Sequence, residues 1–157
     1  MERIGLFVDV QNIYYTTRHA YGRQFDYSTL WNVLARDSVI ETANAYATDR
    51  GDEGQRKFQA ALRHLGFTVK LKPYILRADG SAKGDWDVGI TIDVLQNAPE
   101  LDRIFLLSGD GDFDLLIDTV QTLHDTPVEV YGVPALTADS LVRAAIAFHP
   151  ITETLLI

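Results

Sequence analysis

The sequence predicts an α/β fold: one domain, residues 1–157, in three layers, with helices on both faces of a mostly parallel sheet. Three observations lead there. Apolar, β-branched runs alternate along the chain with stretches of helical period, the pattern of repeated βα units. The 157 residues, 46% hydrophobic and 23% charged, suffice for one sizeable core, and a second domain is not expected. Gly66 and Pro127 stand at junctions between the two kinds of segment, where the chain leaves one regular element for the next.

The elements follow in order. Ile4 to Val8 is the first strand, and Asn12 to His19 and Tyr27 to Ala35 are helices, the second opening on Asp26 or Ser28 as N-cap. Val39 to Ala47 is the second strand. Glu53 to Leu65 places Phe58, Ala61, Leu62 and Leu65 at helical spacing and stops at Gly66, a residue suited to the left-handed C-cap. Phe67 to Tyr74 is the third strand, and the loop Leu76 to Gly84 is the candidate flap. A helix from Trp86 to Ala98 precedes the fourth strand, Arg103 to Leu107; another, Phe113 to His124, precedes the fifth, Val128 to Tyr131. Thr137 to Phe148 reads as a last helix, and Ile151 to Ile157 as a short edge strand. The expected core order is 3-2-1-4-5, which places the first and fourth strands side by side.

Composition narrows the function classes. With no cysteine, thiol nucleophiles, disulfides and cysteine-ligated zinc are excluded, and a reducing, cytoplasmic setting is the default expectation. The apolar run at the N-terminus is too short and, with Asp9 inside it, too acidic for a signal-peptide core. No stretch is long enough to span a bilayer, so no membrane role is expected. A net charge of -8 argues against holding nucleic acid by bulk electrostatics, but the charge is unevenly spread. From Arg50 to Lys83 eight basic residues face three acids, a balance of +5; from Asp85 to Asp118 nine acids face Arg103 alone, a balance of -8. A polyanion could rest on the first block and a cation on the second, although charge runs are most often solvated faces.

The acids carry the chemistry. In an open parallel sheet, ligands bind beyond the carboxyl ends of the strands where the strand order reverses. The first strand delivers Asp9 at such an end, and the fourth runs into Ser108-Gly109-Asp110. Asp9 and Asp110 are therefore expected to face one crevice. Gly109 and Gly111 would let the backbone turn sharply there, Asp112 follows within reach, and Asp87 opens the helix leading to the fourth strand. Carboxylates held together repel unless a cation neutralises them, and an all-oxygen ligand set favours Mg²⁺ or Mn²⁺ over zinc.

Each acid also has an ordinary explanation. Asp110, Asp112 and Asp114 lie in or just before a first helical turn, where acids cap free amides, and for Asp114 the two explanations balance. Asp9 ends a strand that should be buried, where an unpartnered acid is expensive. Asn12 either caps the following helix or holds a metal-bound water or phosphate, the second being favoured. Asp93 lies about 120° around the helix from Asp87, in a supporting position or merely exposed. His19, His64, His124 and His149 show no ligand spacing. Tyr14 and Tyr15, one turn after Asp9, are the aromatics best placed to stack on a base.

There is no GxGxxG, GxxxxGK[ST] or GxSxG, and Gln11 stands where a haloacid-dehalogenase-type phosphatase has its second Asp. Three segments remain: Phe7-Val8-Asp9-Val10-Gln11-Asn12, Lys83-Gly84-Asp85-Trp86-Asp87-Val88, and Leu107-Ser108-Gly109-Asp110-Gly111-Asp112-Phe113. Together they resemble the NYN domains of the LabA-like group, and the resemblance covers nearly the whole chain.

That resemblance implies a Rossmann-like (PIN-like) nuclease fold with an acidic metal site. It implies Asp9, Asp87, Asp110 and Asp112 as metal ligands, Asn12 as polar support and Ser108 as a hydrogen-bond donor. Asp85 and Trp86 sit where many members have one residue, which leaves Asp85 in competition with Asp87. The implied activity is Mg²⁺- or Mn²⁺-dependent cleavage of RNA, single strands being the expected form. Lys70, Lys72, Arg77 and Lys83 would contact the nucleic-acid backbone. Two alternatives stand beside it: a non-catalytic regulatory module that binds a protein or nucleic acid, and a metal-dependent phosphatase of small molecules.

Overall fold

A computed structural model describes the backbone of residues 1–73, 75–76, 82–83 and 85–157, and the side chains of residues 1–72 and 85–157. Its centre is a six-stranded parallel sheet. The strands are β1 (Glu2–Asp9), β2 (Ser38–Asp49), β3 (Thr68–Pro73), β6 (Arg103–Leu107), β7 (Val128–Gly132) and β8 (Ala147–Pro150). They lie in the order β3-β2-β1-β6-β7-β8, while β4 (Ile75–Leu76) and β5 (Ala82–Lys83) form a separate antiparallel pair. The expected five-strand core order holds, with β6 and β7 as its fourth and fifth members. The reversal of order falls between β1 and β6.

The period-two alternation of the strands divides the interior. Ile4, Leu6 and Val8 of β1 pack with α1 (Val10–Tyr21), α2 (Tyr27–Ala35) and α3 (Glu53–Leu65). Phe7, facing the other way, packs with α4 (Asp87–Asn97), α5 (Asp114–His124) and α6 (Asp139–Ala144). Phe113, 1% exposed, is one of the large side chains of this second core. Alternation along a strand puts Asp9 on the same side as Phe7, beneath the start of α4.

Near the C-terminus the structure departs from the helix expected over Thr137 to Phe148. Helix α6 stops at Ala144, Ala145 is extended, and Ala147–Pro150 becomes β8. Pairing decides this: Ile146 N–H donates to Val128 O at 2.9 Å and Ile151 N–H to Gly132 O at 2.9 Å, so the segment completes the edge of β7. The alanine-rich run has adequate helix propensity, and the tertiary ladder overrides it. The tail expected as an edge strand forms a short 3₁₀ turn, Glu153–Leu155, and a single antiparallel bridge from Leu156 to Phe25.

Candidate metal centre

Asp9 sits at the last position of β1 and is the N-cap of α1, its Oδ1 accepting from the Asn12 N–H at 3.5 Å. Beside it, β6 runs into the wholly buried Ser108. The Ser108 hydroxyl donates to Asp9 Oδ2 at 3.1 Å and accepts from the Asp110 N–H at 3.1 Å, so one hydroxyl positions both acids. Asn12 Oδ1 accepts from the Gly109 N–H at 2.8 Å. It ties the first turn of α1 to the loop after β6. Its amide oxygen is therefore engaged by protein, and Asn12 acts as a brace beside the acids.

Glycine at 109 answers a close approach. A Cβ there would lie 2.5 Å from the Leu136 carbonyl oxygen. Neither Gly109 nor Gly111 has a positive φ, so packing of the loop against the 134–138 segment is what excludes a side chain. The Ala138 N–H, donating to Gly109 O at 3.0 Å, closes that contact.

Asp87 arrives from the second core, at the first position of α4. The start of this helix is held by Trp86, whose indole N–H donates to Ala47 O at 2.9 Å and whose ring packs on Tyr46 at 5.3 Å between centroids. The ring also lies over Gly89, where a Cβ would meet it at 2.6 Å. Asp9, Asp87 and Asp110 each offer a carboxylate oxygen, and these three atoms lie within 4.8 Å of one another.

The electrostatics are those of crowded like charges. Burial pushes Asp9 up to about 6, against the hydrogen bonds from Ser108 and Asn12 and with the help of the Asp110 charge. Asp87 is pushed up to about 7 by burial, then by the charge of Asp110 and its carboxylate within hydrogen-bonding reach, and then by Asp85 and Asp9. Among the described residues no Lys or Arg forms an ion pair with any of the three. A converging all-oxygen, all-anionic donor set without a cationic side chain fits a hard divalent ion.

The other expected residues lie around this triad. Asp112 is exposed and outside it; its backbone N–H donates to Asp110 Oδ1 at 3.0 Å. Asp85 is exposed and accepts from the Asp87 N–H at 3.2 Å, a turn that helps aim Asp87. Asp93 belongs to a different network: its Oδ2 accepts from Lys70 Nζ and from the Tyr46 hydroxyl, each at 2.7 Å, and Tyr46 in turn accepts from Asn44. Asp114 opens α5 and accepts from the Leu115 N–H. Lys70 is balanced by Asp93, while Lys72 lies over the Trp86 ring at 4.5 Å and donates to Asp85 O. Arg77, the Lys83 side chain and most of the 76–84 loop lie outside the described residues. Tyr46 was not expected as part of this region. The structure sets it opposite Asp9 in the β1–β2 register, a pairing that no sequence pattern marks.

Comparison with known proteins agrees with this architecture. The family model described as the NYN domain matches residues 3–152. The chain is 32% identical over 143 residues to the low amplitude and bright protein LabA of Synechococcus elongatus, covering 85% of this chain and 76% of that protein. It is similar to a crystal structure of a protein of unknown function from Vibrio parahaemolyticus, at 50% identity and a TM-score of 0.94, over 99% of this chain and 96% of that one. Ribokinase from Giardia lamblia shares the fold alone, with 12% identity and a TM-score of 0.53 over 96% of this chain and 58% of that one.

Proposed function

The chain belongs to the NYN domain family, a family of PIN-like nucleases, and from that premise we propose that it is a metal-dependent phosphodiester hydrolase of RNA, acting on single strands in the cytoplasm. The observation that carries the reading is the convergence of Asp9, Asp87 and Asp110 with no ion pair to a basic side chain among the described residues.

These three side chains would hold Mg²⁺ or Mn²⁺. When bound, the ion lowers the pKa of a coordinated water and offsets charge developing on the phosphate. The protein's own residues do the positioning. Ser108 holds Asp9 and Asp110 in fixed orientations, Asn12 locks α1 to the loop that carries Asp110, and Asp85 orders the backbone at Asp87. Groups around metal ligands fix their orientation and strengthen binding. Lys72, on the Asp87 side of the site, is the basic residue assigned to a strand phosphate. Lys70 contributes less because Asp93 already takes its charge.

The deciding experiment incubates end-labelled single-stranded RNA and DNA with wild type, Asp9→Asn and Asp110→Asn, under Mg²⁺, Mn²⁺ or chelator. RNA cleavage that needs metal and is lost in both variants is expected. Cleavage that persists unchanged in both variants refutes the proposal. Metal binding without cleavage of either polymer would identify a regulatory module instead, and competition by mononucleotides a small-molecule phosphatase.

A further inference from the structure

A second concavity opens on the other side of the sheet's carboxyl edge, between α1, α2 and α3. Its volume, about 530 Å³, is in the range of small-molecule pockets. Val10 and Gln11, which line it, directly follow Asp9 in the chain.

Polar side chains are set among the apolar ones of its lining. Gln59 on α3 is only 5% exposed and Tyr27 on α2 only 8%. Both line the cavity, yet neither the Gln59 amide nor the Tyr27 hydroxyl makes a hydrogen bond among the described residues. Among the described residues no enclosed side-chain polar atom lacks a hydrogen-bond partner, so these two unbonded groups are not sealed in the core but open to the cavity, where a ligand can reach them.

Two further amides extend the pattern. Gln11 donates one N–H to Thr48 Oγ1 at 3.2 Å and keeps its carbonyl oxygen, while Gln55 uses its oxygen on the Arg50 N–H at 3.1 Å and keeps its NH₂ group. Aromatic rings, Tyr14, Tyr15 and Phe58, stand among these amides.

This combination selects a ligand class. An aliphatic ligand would leave the amides unpaired, and an isolated phosphate would find mostly neutral donors and acceptors. A planar heterocycle with donors and acceptors along its edge satisfies both the amides and the ring faces, as bases do when read by side chains and stacked on aromatics.

We propose that this cavity is a nucleobase pocket, receiving one base of the strand whose backbone passes the acidic triad. The position of that strand rests on the hydrolase reading; the binding of a base does not.

The test records amide NMR spectra of the full chain, in chelator, with each of the four ribonucleosides and with ribose alone. At least one nucleoside is expected to shift the side-chain amide signals of Gln11, Gln55 and Gln59 saturably, while ribose does not. In Gln59→Leu, nucleoside affinity should fall at least tenfold, about 1.4 kcal/mol, while the denaturation midpoint stays at or above that of wild type. A side chain of similar volume then replaces an amide that makes no hydrogen bond within the protein, whereas a purely structural glutamine would lower the midpoint on replacement. Tyr27→Phe, which removes a single oxygen, should weaken binding with the fold intact.

The absence of saturable shifts with all four nucleosides at millimolar concentration overturns the pocket, as does equal affinity in wild type and Gln59→Leu. RNA cleavage without nucleoside binding would overturn the pocket and leave the hydrolase reading standing. Nucleoside binding without RNA cleavage would do the reverse.

Discussion

Asp9→Asn should change how the metal-free protein responds to pH. The Asp9 carboxyl moves from an ordinary 3.8 to about 6 in the folded protein, and at about 1.4 kcal/mol per pH unit the folded state gives up about 3 kcal/mol as this group ionises. The folded pKa lies above the unfolded one, so the favourable contribution is fully present below pH 4 and is lost as pH rises through 6. An asparagine cannot ionise, so the variant loses nothing over that interval. Its stability relative to wild type should therefore rise by about 3 kcal/mol between pH 4 and pH 7, or roughly 6–12 °C in Tm for a domain of this size.

Urea unfolding followed by the fluorescence of Trp31 and Trp86, in chelator at a series of pH values, measures this difference. Groups remote from the cluster cancel, including Glu2 and Glu41, which Arg103 and Arg3 hold below their usual range, while Asp87 loses the upward push of the Asp9 charge in the variant, which adds to the difference in the same direction. Parallel stability curves for wild type and variant would refute the account of the cluster. Adding Mg²⁺ or Mn²⁺ at pH 7 should restore wild type by about 2.7 kcal/mol at a hundred times Kd and do little for the variant. Because a cation must displace protons from Asp9 and Asp87, its affinity should weaken as pH falls below about 7.

Three further outcomes follow from the site. Asp112→Asn should leave the metal-induced thermal shift nearly intact while Asp110→Asn abolishes it, since only Asp110 lies in the triad; equal losses in a differential scanning experiment would return Asp112 to the ligand set. Ser108→Ala should weaken metal binding by roughly 10–100-fold in a calorimetric titration, because it frees Asp9 and unpairs the Asp110 N–H; unchanged affinity would remove Ser108 from the positioning role. Gly109→Ala should destabilise the fold by about 1–3 kcal/mol in urea unfolding, because the new Cβ meets the Leu136 carbonyl at 2.5 Å; a neutral result would mean that the 134–138 segment yields easily.

Much of the fold was legible because local signals and tertiary pairing agree. The helix closed by Gly66 and the strand ending in Asp9 follow from periodicity and caps, and the order of the first five parallel strands is the common doubly wound one. The exception is 145–150, where a helix-compatible run becomes a strand because β7 has an open edge. Local propensity carries no information about that edge.

The site divides in the same way. Asp9 and Asp110 were legible from their strand ends, because where a strand ends is a one-dimensional fact and the common doubly wound order sets those two ends side by side. Asp112 and Asp87 were indistinguishable in sequence, each an acid in a first helical turn. Only the packing of Trp86 against Ala47 and Tyr46 swings Asp87 inward, while the 3₁₀ turn after Asp110 leaves Asp112 in solvent. Lys70, a basic residue in a basic run, proved to be the partner of Asp93, and the unpaired Gln59 within a helical apolar face gave no sequence signal at all. The sequence by itself determined which strands end in acids, and the common doubly wound arrangement supplied the order expected for them. The tertiary structure alone decided which of those acids meet and which polar groups are left unpaired, because both depend on distances between segments far apart in the chain.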